Sequence, residues 1–290
     1  MSARTRAALP GLVALGVAVL APPASAQAPL RYRPQLGTEV HSVFNARASL
    51  VFRDATGGAV SPDSLFGEYT AIGAVGQRVI QLADPTRVLE VRLDSLRTRA
   101  RLQGQAWKEA ALVDSTRPTV RVSMDDRLRL GAGGGRAREQ LGLMRSLGWM
   151  GLEFPDEAVG PAGRWTGRTV VRLPRELATL HEVTMPDSLE AVVSVVLDSV
   201  TARPGDTLFY LSFQGSIGPA TVPGTDAGDS ASVSLAGAQA GSFIWSTGWQ
   251  TFVGAATQAR VRARLRVPPA LGGREAELMW TVTTRLQVRL

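Results

Sequence analysis

Hydrophobic and polar residues alternate along most of this chain. Val40, Ser42, Phe44, Ala46, Ala48, Leu50 and Phe52 fall on one side of an extended backbone, and His41, Asn45, Arg47, Ser49 and Arg53 fall on the other. A period of two predicts a long half-buried strand, closed by the turn residues at 54–58. Leu89, Val91 and Leu93 share one face of a second strand over residues 88–96, and residues 119–130 read as a strand or hairpin. In the second half, residues 165–173, 177–184, 189–200 and 207–213 are strand-like. A loop rich in Gly, Pro and Asp at 218–229 then precedes three closing strands.

Two segments depart from that period. Over residues 69–82, Leu65, Tyr69, Ile72, Val79 and Leu82 have helical spacing, but Gly73 and Gly76 weaken a helix there. Residues 136–149 are the best helix candidate, because Leu141, Met144 and Leu147 fall on one side after the glycine-rich stretch 131–135. Residues 153–163, with Pro155, Gly160 and Pro161, read as a connector between halves. A short internal echo links Val91-Arg92-Leu93-Asp94-Ser95-Leu96 to Val195-Val196-Leu197-Asp198-Ser199-Val200. The expected fold is therefore mainly β (α+β): one or more large curved antiparallel sheets with one or two short helices. An N-terminal β-rich lobe at 27–153 and a C-terminal one at 154–290 are the expected division. Two related lobes and one continuous domain both fit the pattern.

The closing hairpin is the clearest local structure. Ala259, Val261, Ala263, Leu265 and Val267 alternate with Arg260, Arg262, Arg264 and Arg266. After residues 268–273, Ala276, Leu278, Trp280 and Val282 alternate with Glu275, Glu277 and Thr281. Antiparallel pairing would set Arg264 near Glu277 and Arg266 near Glu275, each pair contributing a few tenths to about 1 kcal/mol. The plain reading is a solvated sheet face whose charges discourage edge aggregation. The sharper one is an anion-binding ridge, Arg260, Arg262, Arg264 and Arg266, for lipid headgroups or lipopolysaccharide.

The first 26 residues change the picture of compartment. Arg4 and Arg6 come without an acid, residues 7–21 are apolar, and Pro22-Pro23-Ala24-Ser25-Ala26 supplies a helix break and a small-x-small site. The apolar run is too short to span a bilayer, so the segment reads as a secretory signal peptide cleaved after Ala26. The mature chain is expected in the periplasm or outside the cell, with Gln27 first. It keeps 30 basic and 25 acidic residues, a net charge of +5. Lys108 is the only lysine. With no basic run of five and no aromatics interleaved with the arginines, nucleic acid is not an expected partner. Cysteine is absent, which excludes disulfides, thiol catalysis and a lipidated N-terminal cysteine. No apolar stretch past residue 26 approaches eighteen residues, so no transmembrane helix is expected.

Candidate chemistry is sparse. The stretch Gly131-Ala132-Gly133-Gly134-Gly135-Arg136 lacks the third glycine of a dinucleotide loop and the strand-helix alternation around it. His41 and His181 sit in different predicted strands, without metal-ligand spacing. No Gly-x-Ser-x-Gly elbow occurs, since Gln214-Gly215-Ser216-Ile217-Gly218 has its glycines at other offsets. Asp125-Asp126 and Asp226-Ala227-Gly228-Asp229 fit turns better than a calcium loop. Asp94 and Asp198 fit a repeated turn better than two halves of an acid–base site. Phe243, Trp245, Trp249 and Trp280 are candidate ligand-binding aromatics, as the floor of an apolar cavity, against the plainer reading of a core cluster.

The signal segment, the long first strand and Gly241-Ser242-Phe243-Ile244-Trp245-Ser246-Thr247-Gly248-Trp249 before a basic strand together resemble an uncharacterised family of bacterial exported proteins, a domain of unknown function. Its β-rich bodies are similar to the half-barrel lipoprotein carriers of the periplasm. That resemblance implies a curved antiparallel sheet with an apolar concave face covering a helix, and no catalytic residue carries over. The expected function is non-enzymatic binding of an apolar or amphipathic ligand, a lipid, or an envelope protein, without a cofactor. The alternatives are a structural or assembly module, a hydrolase with a dispersed site using His41 or His181, and an outer-membrane barrel. Few aromatics and the terminal Leu290 argue against the barrel.

Overall fold

The computed structural model describes residues 29–54, 65–102, 104–111, 119–129, 131, 152–172, 188–223, 232–266 and 275–289. Eleven strands cover most of them. They are β1 (Glu39–Asp54), β2 (Leu65–Ala83), β3 (Thr86–Leu102), β4 (Lys108–Ala111), β5 (Thr119–Asp125) and β6 (Arg164–Arg172). The second half adds β7 (Ser188–Arg203), β8 (Asp206–Pro223), β9 (Ser232–Ser246), β10 (Thr251–Arg266) and β11 (Glu275–Arg289). All belong to one antiparallel sheet in the order β4-β3-β2-β1-β11-β10-β9-β8-β7-β6, with β5 also on β3. The sheet is open, and residues on both sides of position 153 build it, because β1 pairs with β11 along its length.

No helix lies among the described residues. The helix expected at 136–149, the signal segment, His181, and the Asp226–Asp229 run lie outside them. The segment with helical spacing at 69–82 is the middle of β2, so strand pairing on both sides overrides its apolar period. The loop expected from Gly218 starts later: β8 continues to Pro223 through a cis Gly218-Pro219 peptide and a register shift after Ile217. Gln214–Gly218 accordingly lies inside β8 rather than leaving it.

Alternation gives the sheet two faces. The core face carries two buried clusters. One gathers Val91 and Leu93 of β3, Val195 and Leu197 of β7, and Phe243 and Trp245 of β9 around Tyr32 and Phe154. Those last two come from segments outside any strand. The Tyr32 N–H donates to the Asp126 carbonyl at 2.7 Å, and the Phe154 N–H donates to the Arg127 carbonyl at 2.9 Å. The stretch read as a connector enters the core only at its start: Phe154 and Pro155 are buried beside Leu152, residues 156–163 are exposed or half-buried, and the Trp165 indole donates to the Glu153 carbonyl at 2.8 Å. Burial pushes the Tyr32 hydroxyl well above its ordinary pKa, against a hydrogen bond from the Gln77 amide. The second cluster holds Leu50, Leu235, Val261, Leu278 and Trp280. The other face is open, and most described charged side chains of β1, β2, β3, β10 and β11 stand on it; Arg87 of β3 is buried on the core face with Leu89 and Val91.

Candidate functional site

The basic ridge of β10 lies on the open face in the register its alternation sets. Arg264 stands opposite Glu277 and Arg266 opposite Glu275; the side chains of Arg266 and Glu275 lie outside the described residues. Glu277 accepts from both neighbours, with Arg262 Nε and Arg264 Nε each at 3.3 Å. Arg260 makes no ion pair among the described residues and stands opposite Thr281 of β11.

The same face continues across β11, β1, β2 and β3. Arg47 of β1 lies between Thr283 of β11 and Thr70 of β2, and Thr70 faces Arg99 of β3. One row along, Arg285, Asn45, Ile72 and Arg97 line up across the same four strands. Apart from Arg285, which stands beside it, these residues form the floor of a cleft of about 600 Å³ that Glu68 and Glu109 also line. Its wall is Trp107, just ahead of β4, with Arg99 and Arg101 guanidinium carbons 4.6 and 4.8 Å from the ring centroid. Such contacts are worth roughly 0.5–1 kcal/mol at exposed sites. Arg99 pairs with Glu109 at 3.1 Å and Arg101 with Glu68 at 2.6 Å. Arg47, Arg97 and Arg285 have no ion pair among the described residues. Ile72 is 57% exposed in the middle of this charged floor.

The sequence reading missed Arg47, Arg97, Arg99 and Trp107. A signal was present, because Arg97-Thr98-Arg99-Ala100-Arg101 repeats the Arg-x-Arg-x-Arg spacing of the ridge. What the sequence lacked was the pairing of β1 with β11, which sets the two runs on one face.

A second cluster sits further along this face. The Asp94 carboxylate accepts from Arg92 Nε at 2.5 Å and lies 3.2 Å from His41 Nδ1, while His41 Nε2 is 3.2 Å from Glu39. Gly76 lies between His41 and Arg92 in register. A Cβ there would stand 3.0 Å from Asp94 Oδ2 and 3.4 Å from the imidazole, so the bare backbone leaves the space in which they meet. The Asp94 contact also raises the Arg92 pKa. Asp94 is not in a turn: the register skips it between Leu93 and Ser95, making it a β-bulge residue. Asp198 is skipped likewise between Leu197 and Ser199, and there the Ser212 hydroxyl donates to it at 2.9 Å. The echo thus marks two bulges. Both ring nitrogens of His41 face carboxylates, and among the described residues no serine hydroxyl is hydrogen-bonded to either.

The four candidate aromatics are not brought together. Phe243 and Trp245 are in the first core cluster, where Phe154 and Phe252 cover Trp245 at 4.8 and 5.1 Å between centroids. Trp280 belongs to the second cluster, and Trp249 stands 45% exposed on the β9–β10 hairpin. Ser246-Thr247-Gly248 of the glycine-and-tryptophan motif instead holds Asp206, the first residue of β8. The Ser246 hydroxyl donates to it at 2.8 Å and the Gly248 N–H at 2.7 Å. A Cβ on Gly248 would meet the Gly205 carbonyl at 2.9 Å. Burial alone would raise the Asp206 pKa, but these donors outweigh it and hold the carboxylate below its usual range.

The paired acids at 125 and 126 are engaged internally. Asp125 accepts from the Arg127 and Arg129 N–H groups at 2.9 and 2.8 Å, and Asp126 pairs with Arg31 at 3.5 Å. Among the described residues no group of three His, Asp or Glu side chains is arranged to hold a metal ion. No helix among them is long and apolar enough to cross a membrane. No protein-family model and no curated protein matches the chain.

Proposed function

We propose that this is a non-enzymatic binding protein of the cell envelope, whose ligand is an anionic amphiphile seated on the open face of the sheet. One observation carries the reading: Arg47, Arg97 and Arg285 stand together in and beside the cleft without counter-ions among the described residues, next to the exposed side chain of Ile72. Like charges on neighbouring strands cost stability when nothing neutralises them. Glu68 and Glu109 also line the cleft, but Arg101 and Arg99 engage them, which leaves an excess of positive charge to attract an anion. An apolar side chain amid them suits a ligand with both characters. The signal-like first 26 residues supply the compartment of this reading, since the envelope is where an exported protein would meet such molecules.

The test is native mass spectrometry of the mature protein purified from its own envelope, beside the Ile72→Glu variant. A bound amphiphile at defined stoichiometry, lost from Ile72→Glu, is the expected result. An apo mass in the unaltered protein, or equal loading of the variant, would overturn the reading and favour a structural module.

A further inference from the structure

Resting on that reading, we infer that the cleft holds a sugar acid, the oxyanion-bearing polyhydroxylated headgroup of an envelope glycolipid. The argument starts from what else lines the floor. Asn45, Ser49, Thr70 and Thr281 present their amide and hydroxyl groups to the cleft, and none makes a side-chain hydrogen bond among the described residues. An acyl chain laid over them would strip water from these groups and return nothing, leaving each one buried and unpaired. A ring carrying several hydroxyls returns what it removes, because each hydroxyl both donates and accepts.

The arginines supply the rest. Arg47 and Arg97 lie two strands and two residues apart, diagonally across Thr70 and Ile72. At about 4.8 Å per strand and 3.4 Å per residue, that places their backbones about 12 Å apart, a span that two long side chains close around one ring. Guanidinium groups match carboxylate and phosphate oxygens in paired hydrogen bonds. Arg99 and Arg101 are already committed to Trp107, Glu109 and Glu68, so they shape the wall and leave Arg47 and Arg97 as the ones free to meet an anion. Beyond Thr281, the uncompensated Arg260 offers a further contact to a longer saccharide.

Calorimetric titration of the full mature protein tests this with a galacturonate pentamer, a maltopentaose of equal length without charge, and inorganic phosphate. The acidic pentamer should bind, with affinity falling as salt rises, and about tenfold or more tighter than either of the others. Arg47→Gln with Arg97→Gln should weaken it by at least about tenfold. Arg168→Gln removes one exposed positive charge on β6 and should leave binding unchanged. Equal binding of maltopentaose or phosphate would overturn the inference. So would a loss from Arg168→Gln as large as that of the double variant, or no binding of the pentamer. If the pentamer fails while an amphiphile still co-purifies and is lost from Ile72→Glu, only the sugar-acid assignment falls. If Ile72→Glu keeps its load, the cleft itself is the wrong site.

Discussion

The ridge on β10 and the run on β3 carry the same Arg-x-Arg-x-Arg spacing on the same face of one sheet, and they differ in how acids accompany them. On β10, Arg262 and Arg264 converge on the single carboxylate of Glu277. On β3, Arg99 and Arg101 take separate acids from β4 and β2. Each run leaves its first arginine, Arg260 or Arg97, without an ion pair among the described residues. Arg97 stands in the row of Arg285 and next to that of Arg47, which also lack ion pairs among the described residues, whereas Arg260 stands in the row of Thr281 and Ser49. Paired charges in this protein hold strands in register. Unpaired arginines also occur elsewhere among the described residues, Arg78, Arg164, Arg168 and Arg203 among them, but Arg47, Arg97 and Arg285 share two neighbouring rows at the cleft.

That distinction is broken most severely at a fully satisfied acid. Asp206 receives the Ser246 hydroxyl and the Gly248 N–H, and so ties the start of β8 to the β9–β10 hairpin. Asp206→Ala should cost about 2 kcal/mol, since hydrogen bonds to a charged group are worth about 1.5–3 kcal/mol. In a domain of this size that lowers Tm by about 4–8 °C. Because the folded carboxylate is held below its usual pKa, its stabilisation is complete above the unfolded value near 4. It is lost as pH falls through the lower folded value. Asp206→Asn should therefore flatten the acid limb of the melting curve below about pH 4. A variant that melts like the unaltered protein at every pH would remove Asp206 from the structural class.

Glu277→Arg comes next. It removes two ion pairs and sets a third arginine between Arg262 and Arg264. Both partners are at least half exposed, which limits the loss, so about 1 kcal/mol is expected, with Tm down by about 2–4 °C. An unchanged melting temperature would mean that the ridge is no better matched than the cleft.

How far such sites could be read from sequence follows from the same pairs. The strands were legible because half-burial imposes a period of two, and the pairing of Arg264 with Glu277 was legible because few residues separate the two positions in the chain. The cleft was not, since its floor depends on Arg47 of β1 meeting Thr283 of β11, some 236 residues away in the chain. Strand order across that distance leaves no local mark. The aspartates of the echo misled for a related reason. A bulge and a turn favour similar residues, and only the register of the neighbouring strand separates them. Trp245 and Trp280 looked like one aromatic group because both alternate inward, yet β9 and β11 each run through both clusters and the two side chains fall in different ones.

The smallest expected effect on stability is the most informative about the cleft. Arg47→Gln and Arg97→Gln each remove a charge that has no partner among the described residues, so neither breaks an ion pair or leaves an acid unpaired. Each variant should melt within about 0.5 kcal/mol of the unaltered protein, and on the stabilised side if repulsion among Arg47, Arg97 and Arg285 is felt. Salt separates repulsion from indifference. Screening relieves repulsion between exposed charges, so added sodium chloride should raise the Tm of the unaltered protein more than that of the double variant. Equal salt responses, or a loss of more than about 1 kcal/mol on substitution, would place these arginines with Glu277 among the groups that hold the sheet, and the cleft would lose its claim to be a site.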